Sequence, residues 1–117
     1  MEIKKRIISD TFTLLDALKL MDSTGYRSLI VLDALNKFKG ILSIGDLQRA
    51  ILKNISLRSP VKNILRDNVT IASDTDDFNK VKSLMINNRI EFMPVINSDG
   101  DLVDFNFWED IFRENQR

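Results

Sequence analysis

The sequence predicts an α+β protein built from two half-domains, each running strand, helix, strand, strand, helix. Short aliphatic runs alternate with segments in which apolar residues recur at helical spacing. This order occurs twice: sliding the chain along itself by 64 positions aligns Asp33 with Asn97 and leaves no gap from Ile7 onward. Since neither half alone offers much core, we expect the halves to pack through their sheets with pseudo-twofold symmetry.

The first half begins with a strand and a helix. Ile7 and Ile8 fit a strand, and the cluster Ser9-Asp10-Thr11 is typical of a helix start. Gly25 suits the left-handed residue that ends a helix. The apolar face of the helix consists of Leu14, Ala17, Leu18 and Met21. Two strands and a helix follow, predicted over 29–32, 38–43 and 44–53.

The second half repeats this order after a connector over 54–59. Ser59-Pro60 has the cap-then-proline order of a helix start, which predicts one or two helical turns over 61–65. The remaining elements are a strand over 69–71, a helix starting within 73–75, strands over 92–96 and 102–105, and a helix over 107–114. Pro94 indicates that no neighbouring strand needs its amide. We therefore expect two repeats, 1–58 and 59–117.

Composition excludes several kinds of chemistry. The 117 residues include no His and no Cys, which rules out thiol nucleophiles, disulfides, thiolate or imidazole metal sites and Ser–His catalysis within this chain. The 17 basic and 17 acidic residues cancel, so charge gives no reason to expect nucleic acid or an anionic membrane as a partner. The acidic clusters 74–77 and 99–101 fit a helix start and a turn better than a metal site. We expect a cytoplasmic protein that is not itself an enzyme and binds no metal.

The stretch 40–47 carries the clearest candidate site. It reads as a strand running into a helix, with Ser43 at the corner and Asp46 in the first helical turn. Exposed amides and short polar side chains at such a corner are often used to bind small ligands. The alternative is a plain helix cap, in which the hydroxyl and the carboxylate satisfy the first amides and do nothing else. The spacing alone leaves both interpretations open.

Taken together, these segments resemble a tandem CBS domain, or Bateman module. The marks are the helix with Ala17 and Met21, Gly25, the strand 29–33 and the corner 40–47, repeated at 92–97 and 103–111. The order of features is most similar to CBS pairs at the N-terminus of bacterial sugar-nucleotide nucleotidyltransferases. The likeness lies in the start at Met1, the stretch 43–52 and the link 59–61. This resemblance implies a catalytic domain after Arg117.

The resemblance also implies a ligand and its contacts. Such pairs bind AMP, ADP, ATP or S-adenosylmethionine in clefts between the repeats, and no cofactor is required. The Ser/Thr-x-x-Asp motif that holds the ribose corresponds to Ser43 and Asp46, and Arg27 stands where a basic residue contacts phosphate in some members. The side chains and backbone implied to enclose the base are those around Ile7, Ile8, Leu29 and Leu42.

The second repeat departs from the pattern. Asp110 matches Asp46, but Phe107 stands where Ser43 does, and Glu91 and Asp104 would repel phosphate. We predict that this second cleft, which also includes Pro94, is degenerate and filled by its own aromatic residues. The aromatic residues there, Phe105, Phe107, Trp108 and Phe112, fit core packing or a patch for a partner.

The predicted function is a regulatory module that senses an adenine nucleotide through Ser43 and Asp46 and controls an attached nucleotidyltransferase domain. The alternative is a ligand-free assembly module. In either case the resemblance implies a homodimer formed through the CBS helices.

Overall fold

The structure is a computed structural model that describes residues 3–66, 71–90 and 92–108. The chain separates into two compact units, Met1–Val69 and Thr70–Arg117. In the first unit the elements are β1 (Ile7–Ser9), α1 (Leu14–Thr24), β2 (Ser28–Leu32), β3 (Phe38–Ser43) and α2 (Ile44–Leu52). In the second they are β4 (Ala72–Ser73), α3 (Phe78–Asn88), β5 (Phe92–Ile96) and β6 (Leu102–Phe107). Short 3-10 turns lie at Ile3–Arg6 and Val61–Asn63.

The first unit is a three-stranded sheet packed against two helices. Its strand order is β1-β2-β3, with β1 parallel and β3 antiparallel to β2. The helices α1 and α2 are amphipathic, so the apolar face of each closes over one side of the sheet. The buried side chains of this core are Ile8, Leu14, Ala17, Met21, Leu29, Val31, Leu42, Leu47, Ala50 and Val61. The predicted apolar face of the first helix is thus confirmed.

The helix α1 starts later than the sequence predicted. Ser9 and Thr11 form a turn, in which Ser9 Oγ accepts from the Thr11 amide. The helix is capped instead by Thr13, whose hydroxyl accepts from Asp16 N–H while the Asp16 carboxylate accepts from Thr13 N–H. The prediction of a start at 9–11 is therefore wrong, because Ser and Thr hydroxyls stabilise turns as readily as caps. The predicted end is confirmed, with Gly25 at φ 78°.

The segment 57–66, which follows α2, is hydrogen-bonded to the residues between β1 and α1. The Val61 amide donates to Phe12 O at 2.7 Å, and the Lys62 amide donates to Asp10 O at 3.1 Å. Val61 itself is fully buried in the core. The predicted helical turns over 61–65 are confirmed only as the single turn Val61–Asn63. The predicted boundary between the repeats, at 58 and 59, stays a prediction.

The second unit repeats the first with a constant spacing. Its strand order is β4-β5-β6, again parallel then antiparallel. The helix α3 has the length of α1, and both central strands shift register at matching places, Val31/Leu32 and Val95/Ile96. The left-handed residue that ends α3 is Arg89, at φ 52°, where α1 ends at Gly25. The internal repeat is therefore confirmed in three dimensions.

Several predicted bounds in the second unit need correction. The strand expected at 69–71 is described only over Ala72–Ser73, which pair with Val95 and Ile96, and positions 69 and 70 lie outside the described residues. The helix α3 starts at Phe78 behind an Asp77 cap rather than within 73–75. The strand β6 runs on to Phe107, where a helix was expected to begin. The rest of that predicted helix, from 109 onward, lies outside the described residues.

Asp76 is expected to titrate below the usual range for an aspartate. Its carboxylate accepts from Lys80 Nζ at 2.9 Å and from the Ser73 amide at 2.8 Å. The bond from Lys80, followed by that from Ser73, favours the charged form and lowers the pKa of Asp76. Its contribution to stability is therefore complete above the ordinary pKa of Asp and is lost as pH falls through the lowered value.

A carboxyl-carbon NMR titration measures this pKa directly. In the Lys80→Gln variant, which removes the first cause, the midpoint of Asp76 should move back up towards the ordinary value of about 3.9. A wild-type midpoint at or above that value would contradict the assignment.

Among the described residues, no helix combines the length and the hydrophobicity that crossing a membrane requires.

Candidate functional site

The corner between β3 and α2 is closed by a reciprocal cap. Ser43 is the last residue of β3 and the N-cap of α2, with its backbone extended at φ −98° and ψ 163°. Its Oγ accepts from the Asp46 amide at 3.1 Å, and Asp46 Oδ2 accepts from the Ser43 amide at 2.8 Å. The capping role that the sequence allowed is therefore present. It uses one carboxylate oxygen of Asp46, and a carboxylate offers about four acceptor positions in all.

Asp46 is buried and lies between two arginines. Its side chain is 5% exposed, while those of Arg49 and Arg66 are 57% and 54% exposed. Asp46 Oδ1 accepts from Arg49 Nη2 at 2.6 Å and pairs with Arg66 Nε at 3.1 Å. A buried carboxylate is costly unless it is paired, and these two cations with the N-terminal end of α2 provide that pairing. The corner thus holds a buried carboxylate whose arginine partners reach the solvent.

Neither Arg49 nor Arg66 was among the site residues predicted from the sequence. Arg49 follows Asp46 by three residues in one helix, so the spacing of helical ion pairs was a usable signal. Arg66 comes from the segment that follows the 3-10 turn Val61–Asn63, and no local pattern links it to Asp46.

Arg27 lines a pocket beside this corner. The pocket has a volume of about 400 Å³ and lies between the end of α1 and the start of α2. The Arg27 carbonyl accepts from the amide of Ile44, the first residue of α2, at 2.9 Å. The pocket is lined by Leu18, Met21, Asp22, Gly25, Tyr26, Arg27 and Ile44. Its lining combines apolar side chains with one exposed cation, Arg27, and one exposed anion, Asp22.

Three of the apolar residues expected near the base belong to the core. Ile8, Leu29 and Leu42 are 2%, 1% and 0% exposed, and they pack in one cluster under α1 and α2. Side chains this buried offer a ligand almost no surface, so any contact from these positions would come from the backbone. Their role in binding stays a prediction.

In the second unit, aromatic rings occupy the position equivalent to Ser43. Phe107 ends β6 as Ser43 ends β3, and its ring centroid lies 5.1 Å from that of Phe92 and 5.0 Å from that of Phe105. Pro94, next to this cluster in β5, is fully buried and pairs with Phe105. Asp110 lies outside the described residues. The described part of this corner therefore has a phenyl ring where the first unit has a hydroxyl.

Within the described ranges, no three acidic residues are grouped so as to hold a metal ion.

Comparisons with known proteins agree on the family. The model of the CBS domain matches residues 4–53 and again 61–105. A curated relative, an uncharacterised 17.7 kDa protein of Acidianus ambivalens from the bps2 3' region, is 27% identical over 99 residues. That match covers 85% of this chain and 60% of the relative.

Solved structures agree on the fold. CbpB in complex with c-di-AMP superposes with a TM-score of 0.84 at 16% identity, covering 94% of this chain and 75% of CbpB. CBSX2 in complex with AMP superposes with a TM-score of 0.78 at 20% identity, and the match covers 94% of this chain and 86% of CBSX2. At these identities the likeness shows the fold alone. With the family model matched in both repeats, the chain belongs to the CBS domain family and carries two copies of the domain in tandem.

Proposed function

We propose that this chain is a regulatory module that binds an adenosine-containing nucleotide at the Ser43–Asp46 corner of its first repeat. The observation that carries the proposal is the buried Asp46 carboxylate, paired with two arginines at a strand–helix corner beside the Arg27 pocket. The family supports it, because the related CbpB and CBSX2 have been captured with c-di-AMP and AMP.

The corner offers the chemistry that a nucleotide needs. Ribose hydroxyls would donate to the Asp46 carboxylate, and hydrogen bonds to a charged acceptor are the stronger kind. Ser43 Oγ would donate to the sugar or a phosphate oxygen, since its hydroxyl hydrogen is not used by the cap. Arg27 is exposed at the pocket and would attract phosphate. The nucleotide could be AMP, ADP, ATP or S-adenosylmethionine.

We infer one competent site per chain. The ring of Phe107 packs against Phe92 and Phe105 at the position of the Ser43 hydroxyl, so a ribose would have to displace a packed aromatic cluster. Asp104 is exposed at the position of Gly40 and adds negative charge there. The proposed output is control of an attached nucleotidyltransferase domain, which rests on the resemblance of 43–52 and 59–61 to such proteins.

A ligand-free assembly module is the second candidate. Apolar side chains remain exposed on both helices of the first unit: Leu15 is 38%, Ile51 47% and Leu52 80% exposed. A homodimer that buries these residues would need no nucleotide.

A thermal-shift screen distinguishes the two candidates. AMP, ADP, ATP and S-adenosylmethionine would be compared with GTP, CTP and sugar nucleotides. A ligand at 100 times its Kd adds about 2.7 kcal/mol of stability, a shift easily seen in a small domain. We expect a shift with an adenosine compound and a calorimetric stoichiometry of one per chain. Dimerisation without a shift from any of these compounds would favour the assembly module, and a stoichiometry of two would contradict the degenerate second site.

A further inference from the structure

We propose that Arg66 is an intramolecular latch on the ligand site: it occupies the Asp46 carboxylate in the free protein and must leave when a ribose binds. The inference concerns regulation of the same corner, and it rests on the proposed function for the identity of the ligand. The segment that follows the 3-10 turn Val61–Asn63 would then regulate the site through Arg66.

Both carboxylate oxygens of Asp46 already accept one hydrogen bond. Oδ2 accepts from the Ser43 amide and Oδ1 accepts from Arg49 Nη2, while Arg66 Nε lies 3.1 Å from Oδ1 as an ion pair. These two hydrogen bonds leave about two of the four acceptor positions of the carboxylate, one on each oxygen. The two neighbouring hydroxyls of a ribose need both of these positions, and the Arg66 guanidinium lies against Oδ1, which carries one of them.

Arg66 is the donor that can leave at the lowest cost. The Ser43 amide is fixed by the cap of α2, and Arg49 is tied to Asp46 within one helix at 2.6 Å. Arg66 makes the longest of the three contacts, at 3.1 Å, and this contact is an ion pair, whereas Arg49 donates a hydrogen bond; the two side chains are similarly exposed, at 54% and 57%. Released from Asp46, the guanidinium of Arg66 would be solvated at once, as expected for a half-exposed ion pair.

The segment that carries Arg66 is attached to the core by side-chain packing as well as by backbone hydrogen bonds. Through the described part of this segment, the backbone hydrogen bonds to the rest of the first unit end at Lys62, which donates to Asp10 O. Beyond Lys62, Ile64 and Leu65 are partly buried against the core, and Leu65 packs close to Gly40. The ion pair with Asp46 is the contact that attaches the Arg66 side chain to the corner, and it is separate from the packing of Leu65.

The latch and the loss of a positive charge predict opposite changes in ligand affinity when Arg66 is replaced. Removing a cation near a phosphate-bearing ligand should weaken binding, because the local potential becomes less positive. Removing the latch should strengthen binding, because the carboxylate is free before the ligand arrives. Adenosine carries the ribose without a phosphate, so it reports the competition for Asp46 alone.

The experiment is calorimetric titration of adenosine and of AMP into the wild-type chain, Arg66→Gln and Arg58→Gln. We expect Arg66→Gln to bind adenosine about fivefold more tightly, which corresponds to about 1 kcal/mol, the upper range for an exposed ion pair. Arg58 is exposed on the same segment, and Arg58→Gln removes the same charge, so its adenosine affinity should match the wild type. In the wild type, adenosine should also shift the Arg66 Nε–Hε NMR signal towards that of a solvated arginine.

Three other outcomes would overturn the latch, and one of them would also overturn the proposed function. Wild-type binding of adenosine with equal affinity in Arg66→Gln overturns the latch and leaves the proposed function standing. A loss of AMP affinity with unchanged adenosine affinity overturns it as well, because Arg66 would then contact phosphate. Failure of all three proteins to bind either compound overturns the proposed function, and the latch with it.

Discussion

Asp46→Ala is expected to weaken binding of the adenine nucleotide by about 1.5–3 kcal/mol, or roughly 10- to 150-fold in Kd. This is the scale of a hydrogen bond to a charged group, here the bond from the ribose to the carboxylate. The same substitution removes the cap on α2 and leaves Arg49 and Arg66 without their shared partner. Affinity therefore has to be measured by calorimetry under conditions where melting shows the variant to be fully folded.

Asp16→Ala is the matched control. Asp16 has the same place in the capping box of α1 that Asp46 has in α2, accepting from the Thr13 amide at 3.1 Å. Both variants lose a capping carboxylate at the third position of a helix, but only Asp46 lies at the candidate site. Asp16→Ala should keep the wild-type Kd. Equal Kd values for wild type and Asp46→Ala would show that Asp46 is a structural cap and no more.

The sequence was sufficient for most of the fold because the repeat supplies two independent copies of each signal. The aliphatic runs of the central strands β2 and β5 and the polar turns that follow them are strong local patterns. Because each pattern occurs in both halves, the prediction for one half supports the prediction for the other. The left-handed position Arg89 follows from its repeat partner Gly25, although its side chain gives no such indication. Helix starts were less predictable, since Ser, Thr and Asp favour turns as well as caps. The caps in use, Thr13 and Asp77, lie after such clusters.

The candidate site was only half predictable for a different reason. Ser43 and Asp46 form a local motif three residues apart, and the strand–helix corner can be read from the order of residues. The pairing of Asp46 with Arg66 depends on where the segment after Val61 is held, which is a tertiary property. Burial is also tertiary: Ile8 and Leu42 were expected near a base, and only the packed structure shows how little of their side chains remains exposed.

Leu42→Ala is expected to lower the free energy of unfolding by about 2–5 kcal/mol, the usual cost of deleting a fully buried leucine. Leu42 is 0% exposed, pairs across the sheet with Leu29 and packs in the core of the first unit. Urea unfolding should show a lower midpoint with little change in slope. Leu35→Ala makes the same change at a side chain that is 76% exposed, and it should cost little.

Measuring adenosine affinity on the same two variants decides between the two roles that Leu42 can have. If Leu42 acts only through the core, the folded Leu42→Ala protein at low temperature should bind adenosine like the wild type, because the side chain has no surface at the corner. A loss of affinity with a cost below about 1 kcal/mol in stability would reverse the assignment and place Leu42 against the base. The pair of measurements thus separates a residue that shapes the site through packing from one that contacts the ligand.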